Sequence, residues 1–97
     1  MFVITLTYKV SLELVDKHIP AHVEWLKKHY EAGMLLATGP RVPRTGGVIL
    51  ARPVPREQID EFIAGDPFRV HGIADYDVVE FAPSSVAPGL ELLKDAA

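Results

Sequence analysis

The chain has 97 residues, 48% of them hydrophobic and 24% charged, proportions of a folded globular protein and too apolar for disorder. The formal net charge is −3, from 10 Lys and Arg against 13 Asp and Glu. That balance offers no basic face to nucleic acid. Without any cysteine, a disulfide framework, a thiolate nucleophile and Cys-ligated zinc or iron–sulfur centres are excluded.

A length of 97 residues accommodates one domain, with a core expected over residues 2–82 and a tail over 83–97. No apolar run approaches the roughly 20 residues that span a bilayer. The apolar N-terminus has neither a preceding basic segment nor a small-residue cleavage site. A cytoplasmic protein without a membrane partner is the expectation.

Residues 2–9 alternate, with Phe2, Ile4, Leu6 and Tyr8 on one side and Val3, Thr5 and Thr7 on the other, which predicts a strand. Ser11 then supplies an N-cap and Glu13 a first-turn acid. The helical pattern that follows is interrupted by Pro20, which lacks an N–H and clashes with the carbonyl four residues back. This predicts one turn over 12–17, a kink, and a main helix over 20–32. Its apolar face comprises Ile19, His22, Val23, Leu26, His29 and Tyr30, with Glu24 and Lys28 paired outside. Gly33 closes it in a left-handed conformation.

A second strand is predicted over 34–39, a Pro- and Gly-rich loop over 39–47, and a third strand over 47–52. Pro55 suits the first position of a second helix, whose apolar face is Ile59, Phe62 and Ile63. Gly65 ends that helix and Pro67 blocks its continuation. A fourth strand is predicted over 76–83, and one or two helical turns in the tail.

The order β-α-β-β-α-β predicts an α+β, ferredoxin-like fold: an antiparallel four-stranded sheet with both helices on one face. The strands are apolar on both sides, as in the pairs Val3/Ile4, Val48/Ile49 and Val78/Val79. Two helices cover only one of these sides. A second copy packed sheet to sheet, in a two-fold homodimer, is the expected cover for the other.

His22 stands among apolar helix residues and needs a partner for at least one ring nitrogen. Asp66, between Gly65 and Pro67 at the end of the second helix, is the candidate. Preceding proline, it is held extended. A carboxylate on one imidazole nitrogen fixes the tautomer and leaves the other free for a substrate proton. The competing reading is a satisfied core histidine and an aspartate serving as a turn cap. His18 and His22, with His29 beyond, have helical spacing for a metal, but Pro20 disturbs it and no second ligand cluster is apparent; no metal site is assigned. His71 reads as a surface loop residue and Trp25 as packing or a dimer contact. Arg41 and Arg44 flank Pro43 and suit a carboxylate or phosphate. No P-loop, dinucleotide fingerprint or nucleophile elbow is present.

Taken together, these residues resemble the YciI-like (YCII-related) family: the helix histidine at His22, then Gly33, Gly39-Pro40, Gly46-Gly47, Asp66-Pro67-Phe68 and Gly72. The resemblance spans about residues 2–82. It implies a dimeric α+β barrel with His22 and Asp66 as the active-site pair. It also implies proton transfer on a small oxygenated ring, of the dehydrochlorinase or muconolactone-isomerase type. On this reading His22 acts as general base and then acid, Asp66 orients it, and no cofactor is required. Tyr8, Gly39, Arg41 and Phe68 would line the small-molecule site, with backbone N–H groups near Gly39 or Arg41 facing an enolate oxygen. The alternative is a non-catalytic dimeric module that binds a metabolite or serves as an accessory subunit, its His–Asp pair structural.

Overall fold

The computed structural model describes residues 1–95. Strand β1 (Phe2–Tyr8) leads into helix α1 (Leu12–Glu31), followed by β2 (Leu35–Pro40) and β3 (Gly46–Ala51). Helix α2 (Arg56–Ala64), the single turn α3 (Pro67–Val70), β4 (Ala74–Glu80) and the terminal turn α4 (Glu91–Asp95) complete the chain. The four strands form one antiparallel sheet in the order β2-β3-β1-β4, the ferredoxin-like arrangement expected from the element order. The helical turn predicted in the tail is α4; Ala96 and Ala97 lie outside the described residues.

Register decides which side chains meet. Ile4 lies opposite Ile49 on β3 and Val78 on β4, and Leu6 lies opposite Tyr76. This face carries the core: Phe2, Ile4, Leu6, Ile49 and Ala51 join Val15 and Trp25 of α1, Ile59 and Phe62 of α2, and Phe68. Burying each large apolar side chain contributes roughly 1.5–3 kcal/mol. The opposite face presents Val3 between Leu50 and Val79, and Thr5 between Val48 and Asp77. Val79 there is 54% exposed.

Two expectations about helices need correction. First, α1 runs unbroken through Pro20. Proline removes one intrahelical bond at an exposed position, while Val15 before it and Trp25 after it are both buried in the core. Packing on both sides of the break holds the two halves in one helix. The buried stripe is also rotated from the expected one. Counted from Val15 at 3.6 residues per turn, it takes in Ile19, His22, Trp25, Leu26 and His29, whereas Val23 and Tyr30 are exposed. The predicted Glu24–Lys28 pair is absent from the ion pairs of the described residues. Gly33 does close the helix at φ +80°: its N–H donates to the Tyr30 carbonyl and that of Met34 to His29, the two bonds of a Schellman motif.

Second, Pro67 ends the run of α2 as expected, but it also begins a helical turn, α3, that the expected elements did not include. Asp66 is extended (φ −68°, ψ 125°) and its side chain accepts from the Phe68 N–H, making it the N-cap of α3 with Pro67 in first position. Both placements follow ordinary helix-start preferences. Pro55 is likewise the N-cap residue of α2, one position earlier than expected, and gives no side-chain bond.

Candidate active site

The helix and turn that carry His22 and Asp66 lie side by side on the sheet. His22 Nδ1 and Asp66 Oδ1 are 2.8 Å apart, although 44 positions separate the residues in the chain. Asp66 is fully buried, and a carboxylate cannot remain so without donors. It has three. His22 Nδ1 and the Phe68 N–H, at 3.0 Å, serve Oδ1. The Tyr76 hydroxyl, brought from β4, donates to Oδ2. Asp66 is thus both a turn cap and the histidine's partner, so the two readings of it hold together.

An acceptor on Nδ1 places the imidazole proton there and leaves Nε2 as the basic nitrogen. Two rings fix its plane. Phe68 stacks on His22 at 4.1 Å with 7° between planes, and Trp25 lies 5.4 Å away, tilted by 33°. Tyr76 is what sequence reading missed. Its hydroxyl is pushed far above the ordinary tyrosine range, first by burial, then by its bond to Asp66 and that residue's negative charge. It therefore remains a donor. Alternation in β4 puts Tyr76 on the core side with Val78, the one signal that could have drawn attention to it.

His22 opens onto a cavity of about 270 Å³ between α1, α3 and the β2–β3 edge. That is near the lower end of the roughly 300–1,000 Å³ typical of small-molecule pockets. Tyr8, Gly39 and Phe68 are in its lining, together with apolar walls from Leu6, Ile19 and Ile49. Arg41 is not. Its guanidinium donates to Thr7 Oγ1 at 3.0 Å, and its N–H is taken by the Gly46 carbonyl at 2.9 Å. That N–H is therefore not free for an enolate oxygen. The arginine in the lining is Arg44, on the same loop. The five-residue loop over 41–45 carries no periodicity from which side-chain direction could be read.

The other histidines are engaged elsewhere. His18 and His71 stack on each other at 4.4 Å. His29, on the helix's predicted apolar face, lies edge-on against Phe62 and Trp25. Among the described residues no three His, Cys, Asp or Glu converge as a metal site, and no helix is long and apolar enough to cross a membrane.

A ferredoxin-like sheet with a His–Asp pair beside a small cavity is an α+β fold with a candidate small-molecule site. The family is shown by a match of residues 1–82 to the model of the YCII-related domain; the chain belongs to that family. A search of curated proteins returned no match. Among solved structures, the fold is similar to that of 5-chloro-2-hydroxyhydroquinone dehydrochlorinase (TftG) from Burkholderia phenoliruptrix AC1100, in complex with 2,5-dihydroxybenzoquinone. The TM-score is 0.73 at 19% identity, covering 82% of this chain and 91% of that one.

Proposed function

We propose that the protein is a small-molecule enzyme of lyase or isomerase type, in which His22 Nε2 removes and returns a proton on a small cyclic or enolic substrate. The observation that carries this reading is the 2.8 Å contact between Asp66 and His22 Nδ1, with His22 itself in the lining of a cavity. As the imidazole takes up the substrate proton, the carboxylate offsets its new positive charge. An elimination would place the released electron pair in the ring and expel the leaving group; an isomerisation would return the proton to another carbon. Neither needs a cofactor. The structural neighbour's dehydrochlorinase activity and its bound dihydroxyquinone make chlorinated hydroxyquinols the first substrates to try, followed by lactones of the muconolactone type.

Asp66's second task, capping α3, favours one other reading: a dimeric binding or accessory module in which the pair is structural. Chloride release from 5-chloro-2-hydroxyhydroquinone, and isomerisation of muconolactone, separate the two. A general base is typically worth about 10²–10⁴-fold, so His22→Asn should lose at least about a hundredfold in rate while ligand binding persists. Turnover equal to that of an active parent protein would end the assignment of His22 as the base, and no turnover in the parent would end the reading for these substrates. A sharp fall in Tm, with no ligand shifting it, would establish the structural one.

The same reading extends to assembly. We propose a homodimer with the open faces of two sheets packed together, Val3, Leu50 and Val79 at the contact and the cytoplasm as its compartment.

A further inference from the structure

The cavity's walls carry one permanent positive charge and no negative one: among the described lining residues Arg44 is the only Lys or Arg, and none is Asp or Glu. The loop that carries Arg44 is tied to β1. The Tyr8 N–H donates to the Thr45 carbonyl at 2.9 Å, and the Thr45 N–H to Pro43 at 2.7 Å. The guanidinium's partner is Asp16 on α1, bonded through one nitrogen and one carboxylate oxygen at 2.5 Å. That leaves most of the five guanidinium N–H donors unengaged among the described residues. Both side chains are well exposed, at 41% and 58%, and exposed pairs of this kind contribute little. A carboxylate gripped by both prongs of the fork makes a stronger contact than the single bond it would replace. The Asp16 bond, and secondarily the Asp16 and Tyr8 oxygens nearby, hold the guanidinium above its already high ordinary range, so the charge is constant. The Phe68 ring and the aliphatic side chains of Leu6, Ile19 and Ile49 in the same lining suit a flat apolar body.

We propose that Arg44 is the specificity-determining residue of this cavity, taking an anionic oxygen of a small planar ring in exchange for Asp16. The proposal rests on the reading that the ligand's ring lies against His22. It names the substrate class: ring acids, whose charge is a carboxylate or an ionised ring hydroxyl.

Calorimetric titration of the intact protein with benzoate, 2,5-dihydroxybenzoquinone and neutral benzamide tests it. At low ionic strength one or both anions should bind about tenfold or more tighter than benzamide, the margin of a charge-assisted contact. Benzoate alone would assign a carboxylate, and the quinone alone an ionised ring oxygen. Arg44→Gln should bring that preference to within about threefold of unity. Asp16→Asn should instead tighten anion binding, because the resident competitor is gone; a merely structural ion pair predicts no such gain. Added salt should weaken the anions and leave benzamide unchanged. Equal binding of benzamide, an undiminished preference in Arg44→Gln, or no binding of any probe would overturn the proposal. His22→Asn separates it from the proton-transfer reading. If that variant keeps both the anion preference and full turnover, the catalytic reading falls and the assignment of Arg44 stands. If turnover is lost in His22→Asn while Arg44→Gln still prefers anions, only the latter assignment falls.

Discussion

Asp66 illustrates how a buried charge is made tolerable. Three donors converge on its two oxygens, and removing the acceptor strands all of them. Asp66→Ala should therefore cost about 3–5 kcal/mol, the range for breaking a buried pair by deleting one partner. Asp66→Asn, whose amide oxygen can still cap α3, should cost less; urea unfolding measures both. Tyr76→Phe deletes one donor and should cost about 1 kcal/mol. It also has a pH signature. The folded-state Tyr76 ionises far above its ordinary value near 10, so its share of stability is whole below about pH 10 and is lost as pH rises beyond it. Tm measured from pH 8 to 11 should fall less steeply in Tyr76→Phe than in the parent. His29 works in the opposite direction. Burial first, and Lys28 second, hold its pKa below the ordinary histidine value. The unfolded chain then takes up the proton more readily, and stability drops as pH falls through about 6.5. Arg52 and Glu61 share its hollow, and His29→Gln should flatten the acid limb of Tm against pH without removing their contribution.

At the scale of elements, Pro20 shows where a local rule yields to packing. A proline inside a helix costs about 3 kcal/mol, enough to predict a break, yet burial of Val15 and Trp25 on either side outweighs it. Pro20→Ala should raise Tm by several degrees: the restored N–H regains a bond, less the roughly 0.4–1 kcal/mol that proline contributes by restricting the unfolded chain. Gly46 is a harder constraint. A Cβ built there would meet the Leu6 carbonyl oxygen at 1.7 Å and its carbon at 2.7 Å, both backbone atoms of β1. Gly46→Ala should destabilise by about 3 kcal/mol or more, since backbone of the central strand must move. Gly39→Ala, with open space around it, is the control and should be near neutral. The alternation of β1 and the Gly33 stop were legible because each depends on residues within one element. The turn α3 has a local signal too, since Asp-Pro is an N-cap followed by a first-position proline, and the same proline ends the run of α2.

For the whole molecule, the proposed dimer rests on the open sheet face. Val3, Leu50 and Val79 lie side by side across three strands, and an apolar strip of that kind seeks cover. Sedimentation should show a dimer for the parent chain and a monomer for Val79→Lys combined with Leu50→Lys, both with unchanged helix and strand content by circular dichroism. A monomeric parent would remove the sheet-to-sheet assembly.

Period-two and period-3.6 patterns, punctuated by Gly and Pro, were sufficient to order the four strands and two main helices, because those preferences act over a few residues and need no partner. The same local logic singled out His22 as an imidazole lacking a hydrogen-bond partner and Asp66 as an oriented acid. Only the tertiary structure decided that the two meet at 2.8 Å, that Tyr76 from another strand completes the carboxylate's donors, and that Arg44 in place of Arg41 faces the cavity. Contacts across 44 and 10 positions depend on how elements dock, and the aim of a loop side chain depends on what anchors the loop. Neither leaves a period in the chain.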